Sequence, residues 1–537
     1  MNASPSPQAN QGAAAQGGES QSGRLSAYIL AALFVFLGIS AIAWLLVSVV
    51  RDPAIRQVVD GTATESGQSP SLIIAFLTQF GIVLPVLILF LGTISIWLGL
   101  QLRTRNILAA RWAQVALLWL TVAAAIAAIF NIARLGLDYL SQQEQQAAPL
   151  EQGRIGSVLL LLCAVGLFAL FLYWLNRRIE DVFTGKEQLH SRETRNAWNL
   201  LIPTLAVFVL VAARPLEQTF IRSLTDKRFA GQEVPNFVGL ENYQNLLGVR
   251  LDVVDCRLDE ATDECDVARD GSIRWQSIER ELLQEGFRTV WTVPLPFDAT
   301  PSALAISGLD QDFLKSIGTT LLFTVISVSL ELLFALFMAL TVNSAFRGRG
   351  LMRAVMLVPW AIPTVISARL WELMLKDTSA GIINRVLMDV RIVDAPQAWL
   401  SAVSLQLPAA IMVDVWKTAP FMALLLLAGL QTIPSDLYEA ASVDGATRMQ
   451  QFFSITLPLL RPTIAVALVF RTLDALRVFD LFNVLFGRQQ LSMATYNYET
   501  LVNNQQDGYA SAISMIIFVV ISVFAIAYVR LLNVETE

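Results

Sequence analysis

Ten separate runs of this chain are long and apolar enough to cross a lipid bilayer: about 25–50, 72–100, 112–133, 155–175, 198–221, 314–342, 352–374, 407–430, 462–486 and 509–531. A helix needs roughly 17–25 such residues to span the hydrocarbon. Inside it every backbone N–H and C=O must find a partner within the chain, which a helix provides and an open strand does not. The runs therefore predict an all-α polytopic membrane protein of about ten transmembrane helices. Composition agrees, with 55% of the 537 residues hydrophobic and 15% charged, against roughly 45–50% and 25% in ordinary soluble domains. A disordered chain, a collagen and a typical soluble enzyme are excluded.

The first run follows a polar leader, residues 1–24, rich in Gln, Ala, Gly and Ser. The run is too long for the apolar core of a signal peptide, so it reads as a retained span behind a disordered leader. Orientation follows from Lys and Arg in the short loops. Arg103, Arg105 and Arg111 follow span two, Arg177, Arg178, Lys186, Arg192 and Arg195 follow span four, and Arg347, Arg349 and Arg353 follow span six. These loops share one side, the cytoplasm, and an even number of spans then leaves both termini there.

The opposite side receives residues 223–312, a long segment of net charge −9. It predicts a small external domain of mixed structure, with short apolar runs such as Phe287–Val293. Cys256 and Cys265 lie in it. In an oxidising compartment they can pair; the alternative is two free thiols, and the sequence leaves both open. The third cysteine, Cys163, sits in an apolar run, and His190 is the one histidine. So few soft ligands predict no metal site and no cofactor, and no nucleophile–base constellation is present for an enzyme. A net charge of −6 makes nucleic acid an unsuitable partner.

Two blocks emerge. Residues 25–197 hold four spans with short loops and few internal charges, and read as accessory helices. Residues 198–537 hold six spans, the external insert and nearly all the intramembrane charges, which mark function in a bilayer.

Between spans eight and nine lies the polar segment 431–462, QTIPSDLYEAASVDGATRMQQFFSITLPLLRP. Ser435 is placed to cap a helix, and Asp436 suits its N-terminal dipole. Leu437, Ala440, Ala441 and Val443 form an apolar face at helical spacing. Gly445 allows a bend or a close backbone approach. A second short helix, about 446–454, presents Met449, Phe452 and Phe453, and Leu457-Pro458 is expected to end it. Two amphipathic helices beside the membrane can rest on lipid, but Asp436, Glu439 and Asp444 would be repelled by an anionic leaflet. A groove on a protein partner is the better fit.

Here the chain resembles a known family. Glu439-Ala440-Ala441, then Gly445, then Ile455, Leu457 and Pro458 match the EAA–G–I-LP signature of permease subunits of bacterial ABC importers. Ile202-Pro203, Phe237-Val-Gly-Leu-Glu-Asn-Tyr243, Arg353 with Pro359-Trp360 and Pro363, and Gly508-Tyr509-Ala510 extend the resemblance to the carbohydrate branch, over about 198–532. The external insert and extra N-terminal spans are similar to the larger permease of maltose-type importers. Two departures stand out: Phe486-Gly487-Arg488-Gln489-Gln490 replaces the usual Gly-Gly-Pro loop, and four accessory spans replace one to three.

The resemblance implies a six-helix permease core in a bacterial inner membrane, paired with a second permease as a heterodimer. It also implies a cytoplasmic ATPase dimer, an external solute-binding protein and a sugar substrate. The chain has no G-x-x-x-x-G-K-[ST] loop of its own to cradle nucleotide phosphates. Glu439 would contact the ATPase, Gly445 would permit the bend, and Ala440, Met449 and Phe453 would fill its cleft.

Spans eight and nine carry charges at close spacing: Asp414 and Lys417 in the first, and Arg471, Asp474, Arg477 and Asp480 in an i,i+3 ladder in the second. They either neutralise one another within each helix or line a polar path, and both readings stand. The maltose-type resemblance places substrate contacts at Asp414, Lys417, Thr418, Phe421, Asp474, Ala475 and Val478, with Arg477 beside them. Carboxylates and the ammonium can bond hydroxyls, and Phe421 can stack on a sugar ring. Trp360 and Trp371 read as packing residues, and Glu331 as internally paired with an unnamed partner. The alternatives are a permease for another polar solute, such as glycerol-phosphate or a polyol, an ion-coupled secondary transporter, and an anchored receptor. A stand-alone carrier would have no use for the 431–462 segment.

Overall fold

The computed structural model describes residues 21–52, 55–56, 72–144, 152–183, 189–231, 235–258, 265–268, 273–276, 278–295 and 301–531. The leader expected over 1–24 lies outside these residues up to residue 20, and helix begins at Gln21. The chain divides into two compact units, Met1–Gln218 and Thr219–Glu537. Among the described residues, nine helices are long and apolar enough to cross a membrane, and a bent pair makes a tenth.

The first unit holds the long helices Gln21–Arg51, Val83–Arg103, Ile107–Glu144 and Gln152–Val182. Span two is shorter than expected. The run 72–100 breaks at Gly81, whose φ of +70° leaves the helical region, and separates Leu72–Phe80 from Val83–Arg103. The new N-terminus is capped by the Glu217 carboxylate, which accepts from the N–H groups of Ile82 and Val83. Small residues let the first two spans touch: a methyl on Gly38 would lie 2.5 Å from the Gly92 carbonyl oxygen, and one on Gly99 2.7 Å from that of Ala31. Such close approach is how helices associate in lipid, where burial of apolar surface gives no drive.

The second unit begins at the end of span five. The external segment forms a three-stranded antiparallel sheet in the order β1-β3-β2, with β1 Val249–Asp255, β2 Arg288–Leu295 and β3 Ser302–Gly308. Cys256 and Cys265 are joined as a disulfide, which resolves the question the sequence leaves open. Asp310 then caps the sixth span, Gln311–Asn343, by accepting from the Phe313 N–H at 2.9 Å. The same carboxylate accepts from the hydroxyls of Tyr496 and Tyr509 at 2.6 and 2.7 Å.

Three expectations need correction. The run 352–374 is not one continuous helix: helices Arg349–Ala361 and Thr364–Met374 meet at 89°. Ile362, preceding Pro363, is extended (φ −72°, ψ 130°), as a residue before proline prefers. Leu457-Pro458 does not end the second short helix. Arg448–Gln451 runs through a π turn, Phe452–Thr456, into Leu457–Ala475, and the widened turn accommodates the proline at the start of the following α segment. Span nine thus starts at Arg448 and stops at Ala475, not at residue 486. The Val478 carbonyl, which a continuing helix would use, accepts instead from Ser492 Oγ at 2.6 Å. A separate short helix, Asp480–Leu485, follows.

Candidate functional site

The first site candidate is the segment between spans eight and nine. Helix Ser435–Val443 starts behind Pro434, which offers no side-chain cap, and Ser435 instead bonds Asp436; the expected Ser435 cap is not formed. The helix ends in a Schellman turn. Ala446 N–H donates to Ala441 O at 2.8 Å and Gly445 N–H to Ser442 O at 3.2 Å. Gly445 has φ +79°, and a Cβ there would touch nothing within this chain. It serves the bend and not a close internal approach. One residue past Ala446, Thr447 opens the next helix with a capping box, exchanging bonds with Gln450.

The two helices are tied by Tyr438 to Thr456 at 2.9 Å and by Gln451 Nε2 to Ser442 Oγ at 2.9 Å. These polar ties leave the apolar residues outside. Leu437, Val443, Met449 and Phe453 are exposed, as are Glu439 and Ala440, while Ala441, Ile455, Leu457 and Pro458 are half-buried. The segment therefore has a fixed backbone and an apolar surface that no other described residues cover.

The second candidate is a cavity of about 200 Å³. Seven of the eight expected path residues line it: Asp414, Lys417, Thr418, Asp474, Ala475, Arg477 and Val478. Phe421 does not; its ring stacks on Trp360, with centroids 4.8 Å apart and planes at 10°, so that face is occupied. Trp371 packs edge-on to Trp416. Thr364 and Ser367 also line the cavity, and no motif pointed to them because they enter only through the bend at Pro363.

The charges pair mostly between helices, and of the pairing within a helix that one reading had, Arg471 with Asp474 is formed. Arg471 Nε and Nη2 donate to Glu331 at 2.5 and 2.6 Å, Nη2 also donates to Asp414 at 2.9 Å, and Nη1 to Asp474 at 2.6 Å. Three spans thus meet on one guanidinium, and only the Asp474 contact is local. Lys417 is directed at the bend of span seven, donating to the carbonyls of Ile362 and Trp360 at 2.6 and 3.3 Å. A cation there satisfies carbonyls left open by the end of a helix. The expected ladder is cut after Asp474, because Arg477 and Asp480 lie beyond the helix end and are exposed. Chemically the cavity offers carboxylates, an ammonium and guanidinium groups to a polar solute, with no nucleophile activated by a base.

Residues 331–534 match the family described as the binding-protein-dependent transport system inner membrane component. The chain is 46% identical to the trehalose/maltose transport system permease protein MalF of Thermococcus litoralis, over 41% of this chain and 75% of that protein. It is 35% identical to the trehalose transport system permease protein SugA of Mycobacterium tuberculosis, over 43% of this chain and 77% of the relative. The sulfoquinovosyl glycerol transport system permease protein SmoG of Agrobacterium fabrum is 36% identical, over 42% and 74% respectively.

Proposed function

The chain belongs to the family of binding-protein-dependent transport permeases, and we propose that it is the membrane subunit of an ATP-driven importer that passes a sugar from an external binding protein to the cytoplasm. The uncovered apolar face on the Schellman-turned segment carries this reading. A rigid, exposed pair of short helices with Met449 and Phe453 outward is the form a helix-in-groove partner needs. The partner is an ATPase dimer, and Glu439 makes the polar contact at the rim.

The solute passes through the cavity beneath Asp414, Lys417 and Asp474. Its volume, about 200 Å³, is below the ~300–1,000 Å³ of usual ligand sites, which suits a path completed by a second permease. Relatives named for trehalose and maltose support a neutral disaccharide. The Cys256–Cys265 disulfide supports an oxidising, external location for the insert, and together with the basic loops it supports a reading in which both termini lie in the cytoplasm of a bacterial inner membrane. The ATPase subunit, not this chain, hydrolyses ATP.

The test is co-purification. Gly445→Val combined with Glu439→Lys should remain in the membrane but lose the ATPase and all uptake. Normal uptake by that variant would refute docking through this segment.

A further inference from the structure

We propose that Glu331 is a positioning residue that decides whether the cavity accepts charged solutes; this deepens, and rests on, the reading that the cavity carries a sugar. Glu331 is fully buried on span six and lies behind the cavity wall, not in it. Its Oε2 accepts from Arg471 Nε, and its Oε1 accepts from Arg471 Nη2 and from Thr418 Oγ1 at 2.8 Å. That is a two-point grip on a planar guanidinium, which fixes its orientation as well as its charge. Arg471 is itself only 4% exposed, and turns its remaining donors to Asp414, 12% exposed, and Asp474, 62% exposed.

The charge balance of the wall gives Glu331 its effect. The lining holds three acids, Asp414, Asp474 and Asp480, and three bases, Lys417, Arg471 and Arg477. They cancel. Glu331, one side chain deeper, adds the charge that makes the site acidic. It holds Arg471 from the rear and offsets the cation that would otherwise attract a carboxylate or phosphate on the solute. A hydroxyl-rich neutral sugar is indifferent to this offset, because it binds through dipoles; an anion is repelled by it.

Removing the Glu331 charge should therefore change selectivity and not merely strength. The experiment uses the full complex of this chain with its second permease and ATPase, without the binding protein, which would impose its own selectivity. Equilibrium binding of radiolabelled maltose is compared with that of its C6-carboxylate analogue. Glu331→Gln keeps the shape and should raise the anionic-to-neutral affinity ratio about tenfold, the effect of one charge at several ångströms in a medium of intermediate dielectric. Glu331→Asp keeps the charge and should keep the wild-type ratio. Arg471→Gln should lower the ratio by a similar factor, and Glu331→Gln with Arg471→Gln should return it to the wild-type value.

A role in packing alone would weaken both probes together. An unchanged ratio in Glu331→Gln, or a parallel loss of both probes, overturns the assignment. If Glu331→Gln does not assemble, Arg471→Gln and the double variant carry the same comparison, and equal ratios in those two overturn it. Maltose binding in the wild type with an unmoved ratio removes this proposal alone. A wild-type complex that binds neither probe removes the cavity reading and this proposal together.

Discussion

The spans before Gln218 and those after Thr219 solve the problem of association in lipid by different means. In the first unit, Gly38, Gly92 and Gly99 bring backbones into contact, and Leu30, Phe34, Leu102 and Leu117 fill the space around them. In the second unit, Ala335, Ala339, Ala409 and Ala410 also allow close approach, but Arg471 adds charged bonds to Glu331 and Asp414 across three spans. Packing by small residues holds helices without specifying a chemical site. A buried charge network is costly to desolvate, and its presence marks where a polar solute or a moving joint must be served. The comparison separates a unit joined by small residues from one joined also by buried charges.

The comparison can be broken. The largest effect is expected at the cytoplasmic segment, where Gly445→Val places a branched side chain at φ +79°. The backbone cost is about 1–2 kcal/mol, yet uptake should fall to background, because the surface proposed to dock on the ATPase is lost; ATP-dependent uptake and co-purification check it. Next, Arg471→Leu leaves Glu331 and Asp414 buried without their shared partner, at a cost of about 3–5 kcal/mol. The purified protein should melt well below wild type, and uptake should be lost even in what survives. The third prediction concerns the insert. Cys256→Ser with Cys265→Ser opens a short loop whose closure contributes about 2–3 kcal/mol, so limited proteolysis between these positions should quicken while uptake persists. The smallest effect on transport is expected in the first unit. Gly99→Leu sets a side chain against the Ala31 carbonyl and should cost about 1–3 kcal/mol by overpacking, seen as a lower melting temperature with uptake retained. Uptake lost there as completely as in Arg471→Leu would erase the distinction between the units.

Much of this was legible in the sequence. Spans such as 314–342 and 407–430 follow from apolar length alone, and the structure gives Gln311–Asn343 and Val403–Leu430. The bend at Gly445 was legible because a glycine followed a helical apolar face. The break in span seven was not, although Pro359 and Pro363 stood in view, since proline permits either a kinked helix or a break and tertiary bonds from Lys417 accompany the second. The end of span nine was misplaced because the apolar run continued; a hydroxyl fourteen residues away, on Ser492, takes the Val478 carbonyl. The partner of Glu331 lies 140 residues along the chain, a pairing no local period can disclose. Local patterns reveal elements; they do not reveal which charges meet.

The most direct measurement reconstitutes this chain in vesicles with its partner permease and external binding protein, with and without the ATPase subunit, and follows labelled maltose and trehalose. Accumulation only when the ATPase and ATP are both present, and its loss in Gly445→Val, is the predicted result. Accumulation driven by a proton or sodium gradient in vesicles lacking the ATPase would contradict the account.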